Sequence, residues 1–442
     1  MANNSSTNSG FLEKQFKLKE HGTNVRTEVV AGFTTFMTMA YILAVNPGIL
    51  SDAGMNPGAV FTATTLAAVI ATALMALMAN YPFALAPGMG LNAFFAYTVV
   101  IQMGYSWQFA LTAVFLEGII FIILSLTNIR EAIFNSIPLN LKRSVSVGIG
   151  LFIALIGFQN SDIIGPGDGV IMALGDVTAP IPLLAIIGLI ITGILLAKKV
   201  KGALLIGILA TTVIGIPMGV TNIDGFVSAP PSMAPTFLQF EWANIFTLDM
   251  LVVVFTFLFV DIFDTLGTLI GVSSKADMLD KKGQLPKIKP ALLADAIGTT
   301  AGAAMGTSTV TTFVESASGV AEGGRTGLTA LTTAGLFALA LVFSPIFLAI
   351  PGAATAPALI LVGLFMITDI GKVDFKDYTE AIPAFLTIVM MPFAYSIAEG
   401  IVWGMVSYVF LKMLSGKRKD VSITMYVLAA LFIIRILVEH FL

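Results

Sequence analysis

The sequence predicts an all-α polytopic membrane protein of fourteen transmembrane spans, built as two inverted halves of seven. Three observations predict it. The 442 residues are 57% hydrophobic and only 11% charged, more apolar surface than a soluble chain of this size can hide. Lys and Arg fall in alternate connections between the apolar runs. The third apolar run of each half is interrupted by Gly, Pro or Thr.

The elements follow in chain order. Residues 1–28 are polar, and no short apolar run before a cleavage site marks a signal peptide. The first apolar run then serves as the insertion signal. Runs of membrane length predict spans at 29–48, 59–80, 82–102, 108–126, 143–160, 181–198, 202–221, 247–272, 288–306, 310–325, 327–350, 354–370, 379–396 and 398–414. With a cytoplasmic N-terminus, the odd-numbered connections lie outside and hold no Lys or Arg. The even-numbered ones hold Lys142 and Arg143, then Lys198, Lys199 and Lys201, five Lys between Lys275 and Lys289, Arg325, and Lys372 with Lys376. Lys417, Arg418 and Lys419 follow the last span. Positive charge on one side fixes both the parity and the orientation. The long polar stretch 222–246 divides seven spans from seven, and an odd number per half inverts the second half. A further apolar stretch, Ile423 to Leu442, carries Arg435 and Glu439 and either spans the membrane or lies against it.

Composition also excludes function classes. Without Cys there is no disulfide, thiol chemistry or Cys-based metal site. His21 and His440 stand near the two ends, which leaves no His for a metal site or proton relay in the core. A net charge of −3 gives no reason to expect a nucleic-acid partner.

Three segments carry chemistry. In "NYPFALAPGMGLNAFFAY" the chain runs extended to Pro87, and a half-helix begins near Gly88 to Asn92. Its free N–H groups and positive dipole end point into the protein. Asn92 offers one acceptor and two donors, while Gly88 and Gly90 permit close backbone approach. Packing of helices through small residues would explain this segment alone. In "MGTSTVTTFVESASGVAEGG" the β-branched run Thr307 to Val314 reads extended, and Glu315 opens a short helix. Capping explains a surface Glu better than a Glu at membrane depth. In "FTFLFVDIFDTLGTLIG" Asp261 and Asp264 lie three apart, on one helix face. Two carboxylates inside a span line a polar pathway, and as a crowded buried pair they are candidate proton carriers. Asp295 falls in the next span. Thr34, Thr35, Thr38 and Tyr41 of the first span serve helix packing as readily as ligand contact.

The strings "APGMGLNAFFAY", "FVDIFDTLGTL" and "TSTVTTFVESASGVAEGGRTGL" together resemble the AzgA-type adenine, guanine and hypoxanthine permeases, a branch of the nucleobase–cation symporters, over about residues 20–440. The resemblance implies a fold similar to the bacterial uracil permease, with short strands in the broken spans 3 and 10. It implies a substrate-holding core domain of spans 1–4 (29–126) and 8–11 (247–350). A gate domain of spans 5–7 (127–222) and 12–14 (351–416) is commonly the dimerising one, so a homodimer through it is a candidate assembly. Residues 417–442 form a C-terminal helix beyond this pattern. Substrate residues implied by the resemblance are Asn92, Asp261 and Glu315. Gly267 follows Asp264 at the spacing at which Gly follows the uracil permease's span-8 Glu, so both Asp residues stay in the site. "TTFVES" resembles that permease's Thr-Thr-Tyr-Gly-Glu-Asn, with Phe313 in the place of its Tyr.

The resulting expectation is a proton-coupled importer of purine nucleobases in the inner membrane, with elevator-type movement and no cofactor beyond the coupling proton. Glu315 with Asp261 or Asp264 accepts the purine N–H edge, Gly88 lets the backbone approach, and Phe313 or Phe94 stacks on the ring. Asp264, Asp261 and Glu315 are the candidates for coupling. Asp295, Thr312 and Thr35 form a second tier. Two rivals remain: an anion carrier of the same architecture, which would want a basic residue at the broken spans, and an intramembrane aspartyl protease, hinted at by "GPGD" ending at Asp168. Arg325 is the one basic residue near the broken spans, and Asp168 sits among loop-forming residues.

Overall fold

The computed structural model describes residues 11–441 except 127–136, 168, 224, 276–277 and 280–284. Helices account for nearly all of it, with two small sheets. After a short helix α1 (Phe11–Phe16), the first span begins at Val25, where Asn24 accepts a hydrogen bond from the Thr27 N–H and caps the helix. This span is not continuous. It ends as α2 (Val25–Met39) and resumes as α3 (Ile42–Asp52), with Ala40 and Tyr41 at the join. The hydroxyls of Thr34 and Thr38 bond back to Val30 and Thr34 carbonyls. Such bonds bend helices, and Pro47 lacks the N–H that would bind the ladder one turn on.

The second span is α4 (Pro57–Leu74), capped by Asn56 and continued by a π-turn at Met75–Ala79. The third is broken. Strand β1 (Leu85–Pro87) leads into α5 (Met89–Ala93), which runs on as a π-helix through Phe94–Gln102. Spans four to seven are α6 (Trp107–Leu126), α7 (Leu139–Asn160), α8 (Pro180–Ala197) and α9 (Ala203–Gly215). The second half repeats the plan with α10 (Leu248–Lys275), α11 (Ile288–Met305), the broken span of β4 (Val310–Thr312) and α12 (Ser316–Ala321), and α13 (Gly327–Ala340) extended by α14 (Ser344–Leu348). Then come α15 (Gly352–Ile367), α16 (Tyr378–Phe393) and α17 (Ile397–Leu414). Each of the fourteen predicted spans thus falls on one of these helices or broken segments.

Besides the break in the first span, one feature differs from the sequence reading. The connection after the fifth span, expected as a plain loop, forms a hairpin of β2 (Ile164–Gly167) and β3 (Val170–Leu174). Its strand residues are mostly exposed, so no buried face announced it. Asp168 lies outside the described residues. The last helix, α18 (Ile423–Phe441), packs on α17, and Phe432 meets Phe255 of α10 edge-on at 5.4 Å. The side chains of Arg435 and Glu439 lie outside the described residues.

Packing gathers the helices into two bundles. In one, α2 packs on α13, α4 on both α11 and α13, and α6 on α11. In the other, α7 packs on α15 and α16, α16 on α17, and α8 on α9 and α15. The second bundle is close-packed through small residues. A Cβ at Gly150 would stand 2.7 Å from the Gly363 carbonyl, and one at Gly363 would stand 2.4 Å from the Gly150 carbonyl.

The broken spans meet inside the first bundle. β1 and β4 pair antiparallel, Leu85 opposite Thr312 and Pro87 opposite Val310. The Gly88 N–H extends the pairing to the Thr309 carbonyl at 3.0 Å, and the Phe313 N–H does so to the Ala84 carbonyl at 2.9 Å. Outside the strand pair, each half uses the same device. Thr72 of the second span donates to the Leu85 carbonyl at 3.0 Å and accepts from the Leu85 N–H at 2.9 Å. Thr299 of the ninth span does the same for Val310, at 3.0 and 3.1 Å. Backbone that leaves the helix at membrane depth must be satisfied by protein, and these two hydroxyls satisfy it. Thr72→Val and Thr299→Val keep shape but orphan one buried N–H and one C=O each. Each is expected to cost about 1–3 kcal/mol per orphaned group. Both should therefore lower the thermal unfolding midpoint in detergent by similar amounts. Unchanged midpoints would show that these hydroxyls do not hold the strands.

Candidate functional site

β1 and β4 each lead into a half-helix, one from each end of the antiparallel pair. Gly88 precedes α5, and Glu315 precedes α12. Helix α10 runs past them and delivers Asp264. Gly88, Thr311 and Asp264 converge closely. A Cβ on Gly88 would lie 2.7 Å from the Thr311 hydroxyl oxygen and 3.2 Å from Oδ2 of Asp264. Thr311 hydrogen-bonds the Asp264 carboxylate. Glu315 stands within electrostatic reach of Asp264, and its Oε1 accepts the Tyr41 hydroxyl at 2.7 Å. Asp264 and Glu315 are half-buried, and Val314 between Phe313 and Glu315 is 53% exposed.

The other predicted residues are placed differently. Asp261 and Asp264 share a helix side but diverge by roughly 60° around it, as residues three apart must. Asp264 turns to the strands. Asp261 is fully buried and receives the Thr265 hydroxyl at 2.8 Å. The same hydroxyl lies 2.9 Å from Oδ1 of Asp295, also fully buried. Asn92 is fully buried too. Its Oδ1 accepts the Ser308 hydroxyl, and its amide reaches the Pro87 carbonyl at 3.4 Å. It therefore ties the first half-helix to the second broken segment.

Phe94 packs inside, edge-on to Phe257 at 4.8 Å, and Phe313 is 5% exposed at the end of β4. The Thr312 and Thr35 hydroxyls are buried and make no hydrogen bond among the described residues. Arg325 caps α12, giving its guanidinium to the Val320 and Gly324 carbonyls at 2.7 and 2.8 Å. Glu117 of α6 receives the Thr309 hydroxyl.

Three site contacts were not legible in the sequence. Tyr41 gave no signal beyond the Thr-rich, Pro-containing run around it. Thr311 and Ser308 stood in a β-branched run whose alternation names a face but not a partner. Among the described residues a cavity of about 630 Å³ lies beyond the far end of the first half-helix, lined by Ala44, Asp52, Tyr97, Asn160, Phe347 and Tyr395 among others.

Comparison with known proteins bears on what this arrangement serves. The family model Xan_ur_permease, described as a permease family, matches residues 26–403. A putative permease of Methanocaldococcus jannaschii is 51% identical over 426 residues, covering 96% of this chain and 98% of that protein. The adenine permease AdeP of Escherichia coli is 45% identical, with 97% and 96% covered. The guanine/hypoxanthine permease PbuG of Bacillus subtilis is 46% identical, with 95% and 98% covered. Among solved structures, the transmembrane domain of the cyanobacterial bicarbonate transporter BicA is similar with a TM-score of 0.62 at 17% identity, covering 86% of this chain and 97% of that one. SLC26A9 gives a TM-score of 0.66 at 13% identity, with 92% and 67% covered. These two likenesses show the fold alone.

Gly88 is a tight point of the site. Gly88→Ala is expected to push Thr311 and Asp264 aside and to lower the unfolding midpoint of the purified protein. Gly267→Ala on α10, where a Cβ meets nothing within 4 Å, should leave it unchanged or raise it. Equal midpoints for both variants would show that the strands and α10 are not packed this closely.

Proposed function

The chain belongs to the nucleobase permease family, and from that premise we propose that it imports purine nucleobases, guanine and hypoxanthine first and adenine also, across the inner membrane by H⁺ symport. Family membership makes it a transporter and not an enzyme, which disposes of the protease reading. The observation that carries the substrate reading is the pair of half-buried carboxylates, Asp264 and Glu315, at the crossing of the two broken spans. A neutral flat ring that presents N–H donors suits two carboxylates, and an anion does not. Arg325, the cation an anion carrier would need, is held on carbonyls at the other end of α12. The relatives named as adenine and guanine/hypoxanthine permeases point the same way.

In this reading Glu315 and Asp264 accept the purine N–H edge, and the backbone beside Gly88 lies against the ring. Phe313 flanks it. Asn92 braces the half-helix. Asp261 and Asp295 supply the coupling. The one Thr265 hydroxyl lies within hydrogen-bond distance of both buried carboxylates and gives its proton to one of them at a time. No cofactor beyond that proton is required. Glu315→Ala is expected to abolish saturable guanine and hypoxanthine uptake at normal membrane abundance. In the same assay wild-type uptake should collapse with a protonophore and persist without Na⁺. Full uptake by the variant would sink the site, and strict Na⁺ dependence would reject H⁺.

The first bundle is the core domain and the second the gate domain, with the N-terminus cytoplasmic and any homodimer formed through the gate. Transport then moves core against gate. Three side-chain bonds cross between them near the cavity. Asn160 of α7 donates to the Tyr97 hydroxyl at 2.7 Å and to Oδ2 of Asp52 at 3.3 Å, and Gln102 donates to the Ala394 carbonyl at 2.8 Å. At the opposite face Lys201 pairs with Glu322. The chain has no Cys, so one introduced thiol reports cleanly. Asn160→Ala is expected to speed labelling of Ala44→Cys by a membrane-impermeant maleimide several-fold. An unchanged rate would separate these bonds from the movement.

A further inference from the structure

The cavity of about 630 Å³ opens between the two bundles. Its walls come from the ends of spans 1, 5, 11 and 13. Asp52 closes α3, Asn160 closes α7, Leu348 closes α14, and Tyr395 follows α16. In the proposed orientation all four ends lie on the outer side. Tyr97, from the half-helical element Met89–Gln102, also lines it. The wall carries the same chemistry as the crossing of the broken spans. The Tyr97 hydroxyl donates to Oδ2 of Asp52 at 2.7 Å, as the Tyr41 hydroxyl donates to Oε1 of Glu315 at 2.7 Å. Asp52 is the one charged residue in the lining among the described residues. A carboxylate has about four acceptor positions. Tyr97 and Asn160 both bond to Oδ2, and Oδ1 accepts nothing among the described residues. Two aromatic rings stand by, Tyr97 and Tyr395, edge-on to each other at 6.3 Å, and Tyr395 is within electrostatic reach of Asp52. Tyr395 has φ 54°, a left-handed conformation that a bulky residue rarely adopts. Strain of that kind collects where a side chain is needed in one position.

Resting on the purine reading above, we propose that this cavity is an outer waiting site. A purine nucleobase binds there by its N–H edge to Asp52 and by its ring to the aromatic wall, before it reaches Asp264 and Glu315. One carboxylate repels an anion and is too few ligands to hold a metal ion. N–H donors and a flat apolar face fit both parts of the wall. The volume is that of a small-ligand pocket. With a single charged group on an open face, binding is expected near millimolar, enough to collect substrate without holding it.

The test is protection of an introduced thiol in the purified full-length chain in detergent. Leu348 lines the cavity and is 37% exposed, so Leu348→Cys gives a labelling position in a chain that has no other Cys. Glu315→Ala is added to remove binding between the broken spans. Millimolar hypoxanthine should then slow maleimide labelling severalfold. Caffeine, a purine ring system with no N–H, should not. Asp52→Asn keeps the shape and exchanges a charged acceptor for a neutral one. It should raise the half-protecting hypoxanthine concentration about tenfold, the difference between a charged and a neutral hydrogen bond. No protection by hypoxanthine, equal protection by caffeine, or an unmoved concentration in Asp52→Asn would each overturn the outer site. Wild-type uptake of hypoxanthine alongside any of those results would leave the purine reading standing and remove only this site. Wild-type protein that takes up no hypoxanthine would instead overturn the purine reading itself.

Discussion

The antiparallel pairing of two three-residue strands, Leu85–Pro87 and Val310–Thr312, is the interaction on which the remaining architecture depends. Strands at membrane depth are costly because lipid offers no hydrogen bonds. Here each strand is bonded to its mate on one edge and to a threonine hydroxyl on the other, Thr72 or Thr299. Those threonines come from the preceding span of each half, α4 and α11, which pack against each other. The pairing therefore requires two halves with the same internal plan, one inverted relative to the other. Each strand runs straight into a half-helix, so the first residues of the two half-helices stand at the two ends of one short antiparallel pair.

Much of this was legible in the sequence because membrane physics is a coarse and strict filter. Apolar runs and the one-sided placement of Lys and Arg gave the span count, and interrupted runs gave the broken spans. Carboxylates at Asp261, Asp264 and Glu315 could hardly be mistaken, since a charge in an apolar run has few bland explanations. What the sequence withheld is orientation within a few residues. Asp261 and Asp264 read as one pair, yet a 60° difference around the helix, roughly the angle three residues impose, sends one to Thr311 and the other toward Asp295. Asn92 read as a ligand contact, whereas its oxygen is held by Ser308. The break at Tyr41 was hidden because Ala40 and Tyr41 are themselves acceptable helix residues. The exposed β2–β3 hairpin had no buried face to impose a pattern.

The fold itself does not choose the cargo. Two solved structures similar in shape are a bicarbonate transporter and an SLC26 protein, at TM-scores of 0.62 and 0.66 but 17% and 13% identity. A crossing of two half-helices presents N-terminal dipoles, which by themselves favour negative charge. In this chain that preference is opposed by carboxylates at the same crossing, Glu315 at the head of α12 and Asp264 from α10. The dipoles then face groups of the protein's own making, and the open valence of the site is for donors. What such a crossing can recognise is thus set by its side chains and not by the backbone plan.

The same half-helix that forms the site also reaches the boundary between the bundles. Met89–Gln102 is one continuous helical element, and it begins beside Gly88, Thr311 and Asp264. Its second half carries Tyr97 and Gln102, whose side chains bond to Asn160 and to the Ala394 carbonyl of the other bundle. A π-helical stretch over Phe94–Gln102 makes this end wider and less regular than an α-helix, a form that recurs at functional positions. The element's first turn stands beside the strand pair, and its second half is bonded to the other bundle. The Pro and Gly residues that interrupt the third span therefore serve two ends at once. They break the span at the strand pair and leave a helical element whose far end bonds to the second bundle.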